Sequence, residues 1–426
     1  MIAPARKAAF ELLLELKRKP ESHSDVLLRS KRVEALSALD RNLATTLVMG
    51  VLRWQLVLQQ RIREVLTRSK GHLADPVQVS LELGALQLLL LDRIPVHAAI
   101  FESVELVRQS GNPYAVGLAN AVLRKLAQSP KLHEADASAA HPSWMVERWA
   151  AAYGGEAAAA ICRYDQLPPP TTIRLTSPDA EPGLQLEPGS FVARAWRVVA
   201  GEPKGTRMQD EGSQLIAELA GRGTAILDCC AAPGGKTAIL AERNPTATIT
   251  ACDISPRRLK AMRALLAGDP GNIRFRALDA TELPFQPEFD LVLCDAPCSG
   301  TGTLARNPEI RHRLTVDEFA RQHERQVRLL CSAMRSLSKG GRLIYSTCSL
   351  ESEENEAVVA EALERQRSFR LVPWSPQVGT MEAEGILHPG AAERLFPSGL
   401  PDDFVRLLPG AYQGDGFFAA CLTRDS

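Results

Sequence analysis

The amino-acid sequence predicts an α/β protein in which a doubly wound, mainly parallel sheet follows an all-α region and a small α+β region. Three observations carry this. From residue 223 onward, apolar strands alternate with helices as repeated βα units, the pattern of a sheet covered on both faces. Up to about residue 130 only helical periodicity is present. Between the two, a Trp-rich helical segment and a Pro-rich break at 168–170 are followed by short strand-like runs. The expected division is 1–135 (all-helical), 141–222 (small α+β) and 223–426 (the sheet domain).

In the first region "MIAPARKAAFELLLELKRKP" reads as an amphipathic helix with no small-residue cleavage site, so no signal peptide is expected. Asp40 is the expected N-cap of a long helix whose apolar stripe is Leu43, Leu47, Val51, Trp54, Leu58, Ile62 and Val65. Pro95 opens a segment with Ile100, Val104 and Val107 in register, and "GLANAVLRKLA" closes the bundle. The middle region holds the helix "HPSWMVERWAAAYG", strands at "TTIRL" and "FVARAWRVV", and the helix "RMQDEGSQLIAELAG". The last region reads as strands "TAILDCC", "ATITACDIS", "NIRFRALDA", "FDLVLCDAP", "GRLIYSTCS" and "GFFAACLT", with a helix from about Val316 to Leu337 and another over "SEENEAVVAEALER".

Composition excludes several classes. The 45% hydrophobic and 23% charged fractions are those of a soluble globular chain, and no apolar run approaches the ~20 residues of a membrane span. Nine cysteines, an odd number lying mostly in strand-like runs, indicate free thiols in a reducing compartment, so a cytoplasmic protein is expected. The formal net charge of zero hides an asymmetry: residues 1–70 carry fourteen Lys/Arg against seven Asp/Glu, and residues 306–342 carry nine against four. Two basic stretches suggest a polyanionic partner, although on charge alone solvated helix faces are the better reading.

In a doubly wound sheet ligands bind beyond the carboxyl ends of the strands. Asp228, the turn "AAPGGK", Asp253, Asp279, Asp295 and Cys348 all fall at such ends. Gly234 and Gly235 let backbone approach a ligand at a helix N-terminus. The turn is neither G-x-G-x-x-G nor G-x-x-x-x-G-K-[ST], which disfavours dinucleotides and nucleoside triphosphates. Asp253 is placed for ribose hydroxyls and Asp279 for an adenine amine. Each acid alone is better explained as a helix cap, but together they describe a nucleoside cofactor with little negative charge, best fitted by S-adenosylmethionine. Cys229, Cys230, Cys252 and Cys294 are read as small buried hydrophobes. With no C-x-x-C present, no metal site is expected. For Cys298 and Cys348 a disulfide remains possible by geometry, though a reducing compartment would open it.

The blocks "DCCAAPGGKT", "DAPCSGTGTLARNPEIR", "YSTCSLESEENE" and "GDGFFAACL" resemble those of the RNA 5-methylcytosine methyltransferases, and residues 1 to about 130 are similar to the NusB-type RNA-binding fold. The combination resembles the bacterial 16S ribosomal RNA branch of that family, with a short middle region. The resemblance implies a Rossmann-like S-adenosylmethionine methyltransferase domain behind a NusB-like domain. It also implies methylation of carbon 5 of a cytosine in 16S ribosomal RNA, acting as a monomer. In its terms Cys348 is the nucleophile, Cys298 assists elimination and product release, and Asp295 holds the cytosine edge. Cys230, Ala231, Ala232, Pro233, Gly234, Gly235, Lys236, Asp253, Arg258, Asp279 and Asp295 are the implied cofactor contacts. Two other readings stand beside it: the same chemistry on transfer RNA or another ribosomal position, and a non-catalytic RNA-binding assembly factor.

Overall fold

The computed structural model describes residues 2–19, 22–66, 72–268, 272–397 and 401–425. It divides into two compact units, one of residues 1–168 with 304–313, the other of 169–303 with 314–426.

The first unit is all-α. Helices Pro4–Arg18, Ala38–Val65, Asp75–Leu90, Val96–Gln109 and Val116–Leu126 enclose one apolar core. The predicted stripe of the long helix is its buried face: Leu47, Val51, Trp54, Leu58 and Ile62 are buried, with Leu43 and Val65 packed at the margin. Its cap differs from the expectation. Ser37, not Asp40, is the N-cap, its Oγ accepting from the Asp40 backbone N–H at 3.1 Å, while the Asp40 carboxylate takes the Ser37 hydroxyl proton donor at 2.8 Å. Asp40 therefore sits three residues inside, where its charge faces the helix N-terminus. Helices Ser143–Tyr153 and Gly155–Tyr164 complete the unit.

The segment 304–313 belongs to this unit although the chain on either side of it does not. Its hold is polar. Arg311, 1% exposed, donates to the carbonyls of Arg53 and Ala140 at 3.2 and 3.3 Å. Arg53 donates to the carbonyl of Ala305 at 2.7 Å, and Glu309 accepts from the backbone and hydroxyl of Ser24 at 3.1 and 2.8 Å. Burial pushes both guanidinium groups down to about 10, the cost of desolvating charges that carbonyl oxygens only partly offset.

The second unit holds two sheets. A small antiparallel one has strand order β1–β3–β2, from β1 (Thr172–Arg174), β2 (Gln185–Pro188) and β3 (Ala195–Ala200). β2 was not foreseen from the sequence; only one of its four residues is even partly buried, so it shows little apolar alternation. The large sheet contains β4 (Ala225–Asp228), β5 (Thr248–Asp253), β6 (Asn272–Ala277), β7 (Phe289–Asp295), β8 (Leu337–Thr347), β9 (Phe369–Leu371), β10 (Phe404–Leu407) and β11 (Phe417–Arg424). Its order is β10–β11–β8–β7–β4–β5–β6, with β9 also pairing β11. Strands β4 to β8 run parallel and β11 enters antiparallel beside β8, so the sheet is mainly parallel as predicted. β6 alternates polar residues because it is an edge, and Arg274 and Arg276 there discourage further pairing.

Two apolar clusters, one around Leu291, Ile344 and Trp374 and one around Val292, Leu343 and Met334, cover the sheet. Alternate residues of β7 and β8 enter each cluster, which is why these strands read as continuous apolar runs. The order reverses between β5 and β7 on either side of β4, and the crevice that forms there gathers the functional groups.

Candidate active site

The first wall of the site is the turn between β4 and the helix Gly235–Arg243. Gly234 has φ +111° and an added Cβ would lie 2.8 Å from Met262, so both backbone conformation and space require glycine. Beneath it the fully buried Asp228 accepts the Thr237 hydroxyl at 2.6 Å, which joins strand end to helix start. Burial pushes this carboxyl up to about 7, with the Asp295 charge adding to the shift and the Thr237 bond opposing it.

The second wall is the end of β5. Asp253 Oδ1 accepts from the Ser255 backbone at 2.8 Å, and Oδ2 lies 2.9 Å from Arg258 Nη1. Arg258 also donates to the carbonyl of Ala232, so one guanidinium links the β5 acid to the β4 turn. Asp279 lies two residues beyond β6 rather than ending it. It caps a single helical turn, its Oδ1 accepting from the Thr281 backbone and hydroxyl at 2.9 and 2.8 Å. These bonds hold its carboxyl below the usual range.

The third wall carries the thiols. Asp295 ends β7, its Oδ1 accepting from Ser346 at 2.7 Å and its Oδ2 from Lys236 Nζ at 2.8 Å. Burial weakens the Lys236 ammonium, but the charge and hydrogen bond of Asp295 outweigh it and hold the group above its ordinary value. Cys298 and Cys348 are both half-buried with their sulfurs 3.4 Å apart, too far for a disulfide and close enough for a hydrogen bond. That hydrogen bond and burial raise the Cys298 thiol, and the negative charge of Glu354 adds to the effect.

A cavity of about 340 Å³ is lined by Cys230, Ala232, Asp253, Arg258, Asp279, Asp295, Cys298 and Cys348 together with Ile254, Leu278 and Arg325. The remaining predicted contacts, Ala231, Pro233, Gly234, Gly235 and Lys236, line a second cavity of about 160 Å³ that shares Cys230, Ala232 and Asp295 with the first. The turn is thus a partition with a face toward each space. Of the cysteines read as packing residues, Cys252 and Cys294 are buried away from both cavities, Cys229 is buried but lines the larger one, and Cys230 lines both. Among the described residues no group of three His, Cys, Asp or Glu is placed to hold a metal ion, and no helix is long and apolar enough to cross a membrane.

Three contributors escaped sequence reasoning. Ser346 and Glu354 stand inside the quoted "YSTCSLESEENE" block, so that block was the available sign; the pairing of Lys236 with Asp295 spans 59 residues and has none. The basic stretches also divide. Arg6, Arg53 and Arg311 are buried and bonded within the first unit, His312 is bonded to the Leu52 carbonyl, and burial holds that imidazole down to about 4. Those groups are structural rather than a phosphate surface. Arg68 and Lys70 lie outside the described residues. Arg321, Arg325 and Arg328 remain exposed on the helix Val316–Ser336, with Arg325 lining the larger cavity.

Comparison with known proteins adds to this geometry. Residues 218–423 match the family described as 16S rRNA methyltransferase RsmB/F, residues 3–128 the NusB family, and residues 141–179 the ferredoxin-like domain of RsmF/B-like methyltransferases. The chain is similar to the probable ribosomal RNA small subunit methyltransferase B of Bacillus subtilis, at 29% identity over 98% of each chain. It is 31% identical to ribosomal RNA small subunit methyltransferase B of Xanthomonas campestris, over 93% of this chain and 94% of that one. Among solved structures, that of PH0851 superimposes with a TM-score of 0.77 at 23% identity, covering 100% of this chain and 99% of the other, a likeness of fold.

Proposed function

This chain belongs to the RsmB/F family of 16S ribosomal RNA methyltransferases, RNA 5-methylcytosine enzymes with a NusB-type N-terminal region, and we propose that it methylates carbon 5 of one cytosine in 16S ribosomal RNA through a covalent adduct on Cys348. The observation that carries the mechanism is the pair of half-buried sulfurs 3.4 Å apart beside the Lys236–Asp295 ion pair.

Carbon 5 of cytosine is a weak nucleophile. Addition of the Cys348 thiolate to carbon 6 forms a C6–S bond and pushes the C5=C6 π pair into the C5–C4–N3 unit, leaving an anionic, enamine-like adduct whose carbon 5 is nucleophilic. Asp295, held by Ser346 and Lys236, is oriented to accept from the cytosine amine. The Lys236 ammonium is available to steady charge that develops on the ring during addition. S-adenosylmethionine, when bound, supplies an electrophilic methyl group. Once carbon 5 carries the methyl, its proton must leave and the C6–S bond must break. Cys298, a neutral thiol in contact with the departing sulfur, can pass its proton to Cys348 and be reprotonated from carbon 5. The double bond re-forms, and Cys348 ends as a thiol whose proton is then lost to solvent.

The larger cavity suits this donor. Asp253 and Asp279 retain carboxylate lone pairs beyond those used by Ser255, Arg258 and Thr281, Ile254 and Leu278 offer apolar flanks for a base, and Asp253, Asp279 and Asp295 give the space acids that would suit a ligand bearing a cation. In this reading the enzyme works in the cytoplasm, where its cysteines stay reduced. Bisulfite sequencing of 16S ribosomal RNA from a deletion strain tests the assignment. One cytosine should lose its 5-methyl mark and regain it on complementation; an unchanged methylation map would overturn it.

A further inference from the structure

We infer that Glu354 is the positioning residue of the thiol pair, tying the Cys298 loop to the Cys348 loop and thereby fixing which sulfur is presented as nucleophile. The inference rests on the thiol roles proposed above and adds the group that enforces them.

Glu354 is fully buried between β8 and the helix Glu356–Arg365. Its Oε1 accepts from the Ser299 backbone N–H at 2.8 Å and from Gln326 Nε2 at 3.0 Å. Its Oε2 accepts from the hydroxyls of both Ser299 and Ser349. Ser299 directly follows Cys298 and Ser349 directly follows Cys348. Gln326 also donates to the carbonyl of Pro297 at 2.9 Å, so the Cys298 loop is gripped on both sides of the sulfur. The Tyr345 hydroxyl donates to the Glu354 carbonyl at 2.6 Å and holds the carboxylate's own backbone in place.

One carboxylate therefore receives four donors from three separate parts of the chain. Only an acceptor-only group with two oxygens can do this: an amide offers one oxygen and sets its own N–H₂ against the donors. The clasp also imposes an asymmetry of charge. An anion lies behind Cys298, whose thiol is raised first by its bond to Cys348 and by burial and then by Glu354. A cation, Lys236, interacts with Cys348 instead. Cys298 is thereby held as a neutral thiol and keeps the proton that release requires.

The test is site-resolved alkylation of the full-length enzyme by iodoacetamide across pH, read by mass spectrometry. In the native enzyme Cys298 should resist alkylation until well above the pH at which an ordinary thiol reacts. Glu354→Gln keeps the size and removes the charge, so Cys298 should react faster at fixed pH, about tenfold for each unit by which its pKa falls. Glu354→Asp keeps the charge but cannot span both loops; it should leave Cys298 protected while slowing turnover. Equal Cys298 reactivity in Glu354→Gln and the native enzyme would overturn the inference. Should Glu354→Gln fail to fold, Ser299→Ala with Ser349→Ala cuts both hydroxyl ties and retains the charge. That variant should methylate more slowly with Cys298 still protected, and undiminished turnover would count against Glu354. The thiol roles are read independently from the adduct formed by Cys298→Ala. If that adduct appears and the Glu354 results fail, only the present inference falls.

Discussion

Lys236 Nζ lies 2.8 Å from Asp295 Oδ2, joining the helix that follows the glycine turn to the strand end that precedes Cys298. The pair is largely buried, with side-chain exposures of 14% and 25%, so its charge interacts more strongly than a surface pair would. Lys236→Met should leave Asp295 without its cation and lower single-turnover methyl transfer by about 10²–10³, the range for loss of one preorganised donor. Calorimetry should show methyl-donor binding largely retained. A variant with native single-turnover rates would remove Lys236 from the chemistry.

The two sulfurs are expected to behave differently when each is removed. Cys348→Ala should abolish both methyl transfer and any covalent complex with RNA. Cys298→Ala should attack, methylate and then stall, giving a slow band on denaturing electrophoresis that thiol reagents do not dissolve. The double substitution should remove the band. A stable adduct from Cys348→Ala instead would reverse the roles.

Asp253 lines the larger cavity with each oxygen already bonded once. If its free lone pairs receive the ribose, Asp253→Ala should weaken S-adenosylmethionine binding by ~1–3 kcal/mol, the range for hydrogen bonds to a charged group. Unchanged affinity by calorimetry in a folded variant would exclude that contact.

Asp228 supplies a pH prediction. Its folded-state carboxyl lies at about 7 against an ordinary value of 3.8, so between these values the native state binds more protons than the unfolded chain. Stability should therefore fall as pH rises from about 4 through 7 on account of this group. Asp228→Asn keeps an oxygen for Thr237 and cannot ionise. Its melting temperature should gain on the native protein as pH rises across that window, measured by calorimetry. A pH-independent difference would place the carboxyl near its ordinary value.

Arg325 is an exposed cation lining the larger cavity. If it meets an RNA phosphate, Arg325→Ala should weaken binding and flatten the log–log salt dependence by roughly 0.7–0.9. Filter binding at several salt concentrations measures that slope. An identical slope would mean that the phosphates track elsewhere.

Much of this was legible in the chain. The stripe from Leu47 to Ile62, the strands from Ala225 to Thr347, and the positions of Asp228, Asp253 and Asp295 at strand ends follow from periodicity and order. These are local properties: side-chain spacing decides which face is apolar, and the alternation of strand and helix decides which ends carry the loops. The Cys298 and Cys348 blocks were likewise readable as sequence.

Tertiary structure alone decided the rest. The 3.4 Å between Cys298 and Cys348, the Lys236–Asp295 pair and the Glu354 clasp join residues 50, 59 and 55 apart, and they meet because β8, β7 and β4 are neighbours in the sheet. Strand order depends on which faces can be buried together, which no local pattern encodes. The same holds for charge. Arg6, Arg53 and Arg311 count as basic residues in the sequence, yet they are buried because distant carbonyl and side-chain oxygens receive their donors. Ser37 displaces Asp40 as a cap for a smaller version of that reason: the N–H that needs an acceptor is chosen by where the helix begins, and packing sets that point.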